Sequence, residues 1–419
     1  MPEPHRSAAS PEFEPITPRV LRARRWLLVL YLASAVGVAV QRSFYSTENN
    51  FLIFRAAFVH LTSGQDLYAA YPALHADFFK YSPTFALLFA PFALLPLVPG
   101  YILWAVACAS AVFFGIARAL PPRQALVALA LAWLAVVGDL QRAQSNALCA
   151  GLMIMAWTSM ERGREWRPAM AIAAATFVKI FPVVALATAI FRPRKMRFGL
   201  IFAAVLVAGI ALPLLVTPPP SSLANQYRSW FAIETHDAAP LARYGTGGAD
   251  LYAGLMGQFR VWWGVQWPLW PTQLVGVLVL LAPLVFQRRR FGSRQFRLLF
   301  LSSILVFCVL FNHQAESPSY SIAIIGTSIW FAVSARAWWR TLFMAASIVI
   351  VNLMSTDLMP RAWYAAWYVP YLVKTIPLIP VWLAMQGELL GLIPNRDPSE
   401  RAESDERHIV APEALAQQR

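Results

Sequence analysis

The chain has 419 residues, of which 58% are hydrophobic and 13% charged, and its mean hydropathy is +0.52. A soluble domain of this size would carry far more surface charge, so that class is excluded. The net charge of +14 does not indicate nucleic acid, because Lys and Arg fall in short blocks between apolar runs of about 15–22 residues, the pattern of a polytopic membrane protein.

In chain order, residues 1–18 read as a disordered polar tail. Arg19, Arg22, Arg24 and Arg25 then anchor a first span over 26–44 with its N-terminus in the cytoplasm. No small-residue cleavage site follows that run, so it does not read as a cleaved signal peptide. The loop 45–84 is therefore external. Within it, residues 50–61 form an amphipathic helix with Phe51, Phe54, Phe58 and Leu61 on one face, expected along the membrane surface. Residues 85–95, interrupted by Pro91 and closed by Pro96, are too short to cross and read as re-entrant.

Further spans follow near 100–118, 124–138, 146–160, 198–216, 268–286, 298–312, 318–333, 340–355 and 367–386. Residues 168–191, broken by Lys179 and Pro182, read as a second re-entrant segment. The expected fold is thus an all-α polytopic integral membrane protein with about ten spanning helices plus two re-entrant or broken segments. Its membrane domain covers 19–393, with large external loops at 45–84 and 217–267, and a disordered cytoplasmic tail follows at 394–419. With this topology 25 of the 35 Lys and Arg residues are cytoplasmic, as the positive-inside rule requires. Cys108, Cys149 and Cys308 lie in or beside apolar runs without metal-ligand or CxxC spacing, and read as small buried hydrophobes.

Polar residues gather on the external side. The first loop carries Glu48, Asn50, Arg55, Asp66, Asp77, Lys80 and Tyr81, and a second, GDLQRAQSN, carries Asp139, Arg142, Gln144 and Asn146. Lys179 stands where the broken stretch turns, Glu234 and His236 lie in loop 217–267, and NHQAESPSY adds His313 and Glu316. Cations hold a phosphate, a carboxylate serves as base and aromatics stack on sugar faces, so this set suits a sugar-phosphate site. A transporter vestibule would gather similar residues. His313 and Glu316, spaced i, i+3, would share a helix face as a hydrogen-bonded pair; two ligands alone do not make a metal site.

The residues Gly64, Leu67-Tyr68, Lys80-Tyr81-Ser82-Pro83 and Leu94-Leu95-Pro96, with Gln144-Ser145-Asn146 and Lys179-Ile180-Phe181-Pro182, make the stretch 45–200 resemble glycosyltransferase family 87. That family is similar to the polyprenyl-phosphate-mannose-dependent mannosyltransferases of the C-type superfamily. Where it places a catalytic aspartate at the start of the first external loop, this chain has Asn50, with Glu48 two residues earlier. The resemblance implies transfer of a hexose, with mannose favoured, from a polyprenyl-phosphate donor to a lipid-linked or surface glycan acceptor. It places the site on the periplasmic face of the inner (plasma) membrane, with no metal and no cofactor. Glu48, or else Asp66, would be the catalytic base. Arg55, Lys80, Arg142 and Lys179 would hold the donor phosphate, and Asn50, Tyr81, Gln144, Asn146, His313 and Glu316 would contact sugar or acceptor. The rival expectations are a transporter or lipid flippase, and a pseudoenzyme that binds polyprenyl phosphate.

Overall fold

The computed structural model describes residues 17–45, 49–217, 219–237, 254–265, 267–355 and 358–395, with only the backbone at 236 and 237. The tails 1–16 and 396–419 and the residue Glu48 lie outside the described residues, as do 238–253 of the large second loop.

Thr17 starts the first helix, α1 (Pro18–Phe44): its hydroxyl accepts from the Val20 N–H, and Pro18 sits at the first helical position, where its missing N–H costs nothing. The expected amphipathic helix forms as α2 (Asn49–Thr62). Phe51, Phe54 and Leu61 are fully buried, and Phe54 meets Phe85, Phe89 and Trp104 edge-on. The apolar face of α2 therefore packs on protein, against α3 (Pro83–Leu88) and α4 (Ala90–Ala93), the two short helices of the segment expected to be re-entrant.

Next come α5 (Leu97–Ala119), α6 (Pro122–Leu140) and α7 (Asn146–Glu161). An added Cβ at Gly151 of α7 would collide with the Ala111 backbone of α5, the close approach that small residues allow between membrane helices. The stretch 168–191 is broken as expected: α8 (Trp166–Val178) ends at an extended Lys179, and a 3₁₀-helix, Phe181–Phe191, runs back. Then follow α9 (Lys195–Ala211), α10 (Pro220–Asp237), α11 (Leu255–Trp263) and α12 (Leu269–Phe286). The last part comprises α13 (Arg294–Leu310), α14 (Tyr320–Val333), α15 (Trp338–Ala346), the one-turn α16 (Arg361–Trp363) and α17 (Leu378–Leu390).

Every described element is helical. Among the described residues five helices are long and apolar enough to cross a membrane: α1, α5, α6, α9 with its following turn, and α12. A sixth results if the bent pair Arg361–Tyr368 and Val373–Leu390, set at 79°, is one span. The other expected spans are helical but shorter, 16 residues in α7, 17 in α13 and 14 in α14. These are the central helices of the bundle. Most of α13 and α14 is buried, so they are enclosed by other helices without the length of the outer ones. The expected span 340–355 passes from α15 into a π-helical run, Ser347–Leu353, and the expected span 367–386 is interrupted by the break at Leu372.

The basic loops meet at one end of the bundle. Glu161 pairs with Arg297 at 2.6 Å, Arg192 donates to the Arg164 carbonyl, and Arg294 donates to the Ala119 carbonyl at the end of α5. Arg340 forms a buried pair with Glu388 at 2.9 Å. Both ends of the 166–191 hairpin lie here, and its turn at Lys179 points the other way, into a cavity at the opposite end.

Candidate active site

The cavity has a volume of about 800 Å³. Its wall comes from the ends of α1, α2, α8 and α13, from α10 and α12, from the loops 77–81, 141–144 and 312–318, and from the break before α17. Five Lys and Arg side chains line it, Arg42, Lys80, Arg142, Lys179 and Lys374, with the carboxylates Asp77, Glu234 and Glu316 and the imidazole of His313. Half of the ten cations outside the basic blocks thus converge on one space.

The 139–147 turn builds the floor. Asp139 is buried, and its carboxylate accepts from the Asn146 amide (2.9 Å), the Ala147 N–H (2.8 Å) and the Ser321 hydroxyl (3.3 Å). It closes the N-terminus of α7, where an anion is favoured. Tyr101 and Trp104 of α5 donate to the carbonyls of Leu140 and Ala143 and fix the turn from below. Asn146 is buried beneath the cavity wall and joins this turn to the hairpin, for the Lys179 Nζ donates to its Oδ1 at 2.8 Å. Lys179 also stands over the Tyr81 ring, 5.8 Å from its centre.

A polar chain crosses the floor. The Tyr81 hydroxyl donates to Gln144 Oε1, and Gln144 Nε2 donates to Glu316, each at 3.4 Å. Burial, and then the charge of Glu316, hold the Tyr81 phenol well above its usual value, so it stays a donor. At the rim, Asn50 donates to the Arg142 carbonyl at 2.7 Å, and Asn49 accepts from the Ala76 N–H at 2.9 Å, which ties the start of α2 to loop 75–78. From α10, Trp230 donates to the Lys80 carbonyl and Gln226 holds Leu67 and Gln65.

Of the residues singled out by sequence, Asn50, Lys80, Tyr81, Arg142, Gln144, Lys179, His313 and Glu316 line the cavity. Arg55 and Asp66 do not; Asp66 caps its own turn, accepting from the Tyr68 N–H at 3.1 Å. His313 and Glu316 sit on a loop and not on a shared helix face, because the helix ends at Leu310 and Pro318 follows. No group of three or more metal-ligating side chains occurs among the described residues. Sequence reading missed Arg42 and Lys374. The available signal was their position, single cations set within apolar runs.

The family model of glycosyltransferase family 87 matches residues 78–312, more than half of the chain. The chain belongs to that family. The match begins later than the stretch 45–200 on which the resemblance rests, and it reaches much further, through α13 to the cavity residue Asn312. No curated protein matches this family 87 chain. Among solved structures it is similar to the oligosaccharyltransferase of Archaeoglobus fulgidus in its apo form, at 11% identity and a TM-score of 0.41, over 85% of this chain. It is similar also to the archaeal oligosaccharyltransferase AglB of Archaeoglobus fulgidus in complex with an inhibitory peptide and a dolichol-phosphate, at 11% identity and a TM-score of 0.39, over 89% of this chain. The family 87 chain spans 56% of the length of each.

Proposed function

We propose that this family 87 protein is a membrane glycosyltransferase that moves a hexose, with mannose favoured, from a polyprenyl-phosphate donor to a lipid-linked or surface glycan hydroxyl. The carrying observation is the convergence of five cations and three carboxylates on one cavity at the end opposite the basic loops. A leaving phosphate needs fixed positive charge, and an attacking hydroxyl needs a base; both kinds of group face the same space. By the positive-inside rule the cavity then opens on the periplasmic side of the inner membrane, in a topology of about ten spans.

The reaction is a single inverting displacement. The base removes the acceptor hydroxyl proton, and that oxygen bonds to the anomeric carbon. The bond from the anomeric carbon to the phosphate oxygen breaks, and its electron pair leaves on the polyprenyl phosphate. Lys80, Arg142 and Lys179 hold that developing charge, as fixed cations in a site of low dielectric. Gln144, Asn50, His313 and Glu316 offer hydrogen bonds to sugar or acceptor, and Tyr81 a face for the ring. The base is Glu48, which immediately precedes Asn49 and Asn50 at the cavity rim. Asp66 is the weaker candidate, because its carboxylate is turned to its own backbone.

Purified protein in proteoliposomes, given polyprenyl-phosphate mannose labelled in the sugar together with membrane glycolipids, tests this. Appearance of label in an acceptor, with release of polyprenyl phosphate, is the expected result. Label that stays on the donor while the carrier crosses the bilayer would make the protein a flippase.

A further inference from the structure

Two unusual backbone positions and two cations coincide in the cavity. Among the described residues only Ala143 and Leu372, glycine aside, have a left-handed φ, 50° in each. That region is disfavoured for any residue with a Cβ, and such residues persist where the surroundings over-determine them, as they do at ligand-holding sites. Ala143 directly follows Arg142. Leu372 caps the short 3₁₀-turn Val373–Thr375, which carries Lys374.

The Ala143 turn is held from outside the cavity, where its carbonyl accepts from Trp104 at 3.2 Å, and the Leu372 turn is closed locally, its N–H donating to the Val369 carbonyl at 3.1 Å. Lys374 is 9% exposed, and its Nζ donates to the Ser317 carbonyl (3.0 Å) and hydroxyl (2.8 Å) above the Tyr320 ring. All three partners are neutral. Among the described residues no carboxylate pairs with Lys374 or Arg142, and both side chains line the same cavity. Two cations turned to one space, neither of them in contact with a carboxylate, are unfavourable unless an anion joins them.

We propose that Arg142 and Lys374 form an anion subsite that takes the phosphate of a lipid, held in place by the left-handed turns at Ala143 and Leu372. A guanidinium fork from one wall and an ammonium from the other present donors to a tetrahedral anion from two sides. Val369, Leu372 and Phe311, which line the same cavity, offer an apolar path for the chain attached to it. The subsite itself follows from these residues; only the choice of a polyprenyl carrier, over an ordinary phospholipid headgroup, rests on the function proposed above.

The test is binding to the full chain in nanodiscs of neutral lipid, with undecaprenyl monophosphate, phosphatidylglycerol and inorganic phosphate as separate probes. Lys374→Met and Arg142→Met should each weaken the lipid phosphate about ten- to a hundredfold, the loss of one charge-assisted contact. Lys374→Arg, which keeps the charge, should retain most of the affinity. Arg142 is exposed to the cavity, so its variant reports on the subsite even where a change at buried Lys374 disturbs folding. Loss with undecaprenyl phosphate supports both the subsite and the carrier. Phosphatidylglycerol or inorganic phosphate bound in the same Arg142- and Lys374-dependent way, with undecaprenyl phosphate ignored, supports the subsite and sinks the polyprenyl donor. Equal affinity of wild type and both Met variants for every probe, including no binding at all, overturns the subsite. Sugar transfer that persists in that case leaves the proposed function standing.

Discussion

The two ends of the bundle use positive charge in opposite ways. At the basic end the arginines have partners within the fold: Arg297 pairs with Glu161 and Arg340 with Glu388, while Arg290 donates to the carbonyls of Glu388 and Leu389 at the end of α17. Cations there neutralise helix C-termini and close the helix ends, as the dipole favours. At the cavity end Lys179 and Lys374 donate to an amide oxygen and to a serine, and Arg142 meets no carboxylate among the described residues. The same residue types are thus structural where the protein supplies the counter-charge and available for a ligand where it does not.

That comparison breaks if changes at the cavity end act on stability, or changes at the basic end on the reaction. The largest effect is expected from Glu48→Gln, which removes a general base contributing about 10²–10⁴ in rate. Turnover should fall by that factor with donor binding kept, and full activity in this variant would remove Glu48 from the mechanism. Asn50→Asp should be neutral or harmful, since Asn50 already holds the Arg142 carbonyl. Activity raised by Asn50→Asp would instead mark a site that had lost its aspartate.

At the other end, Arg340→Met leaves Glu388, with its side chain 0% exposed, as a buried charge without its partner. Breaking such a pair costs about 3–5 kcal/mol, read as a lower midpoint in thermal or denaturant unfolding, with donor affinity unchanged in the folded fraction. Lys179→Met comes next. It removes a contact worth about 1.5–3 kcal/mol from the donor phosphate, so donor affinity should fall about ten- to a hundredfold while the unfolding midpoint stays near that of wild type. Unaltered affinity would make Lys179 a hairpin strut. The smallest effect belongs to Arg197→Ala. Its pair with Glu165 spans 3.0 Å but leaves the Arg197 side chain 61% exposed, and exposed pairs contribute about 0.2–1 kcal/mol. A larger loss of stability would mean that the basic end works as one network.

Much of this was legible in the sequence, and physics says which parts. Lys179 and Pro182 announced a broken segment because a buried charge and a missing N–H both interrupt a membrane helix. The face of α2 followed from its period, although its burial against Phe85 and Phe89 in place of lipid did not. Arg55 and Asp66 share the first loop with Lys80 but point elsewhere, since local sequence cannot tell which side of a folded loop meets a cavity. Arg42 and Lys374 were hidden for the opposite reason. Each is one cation near the end of an apolar run, where a topology anchor looks the same, and only the closure of the bundle brings them, 332 positions apart in sequence, to one cavity. The left-handed turns at Ala143 and Leu372 carry no sequence signal, because neither is glycine or asparagine.

The hairpin that carries Lys179 is built from two unlike arms. The outgoing arm is 13 residues of α-helix, about 20 Å at 1.5 Å per residue, and the returning arm is 11 residues of 3₁₀-helix, about 22 Å at 2.0 Å per residue. The stretched return compensates for its two fewer residues, so both feet stand level and Arg192 reaches the Arg164 carbonyl. Rewound as α-helix, the return would fall about 5 Å short and would drag either that foot or the lysine at the apex. The winding of residues 181–191 is therefore a ruler: it sets how far from the arginine-rich end of the bundle a positive charge is parked, about 20 Å.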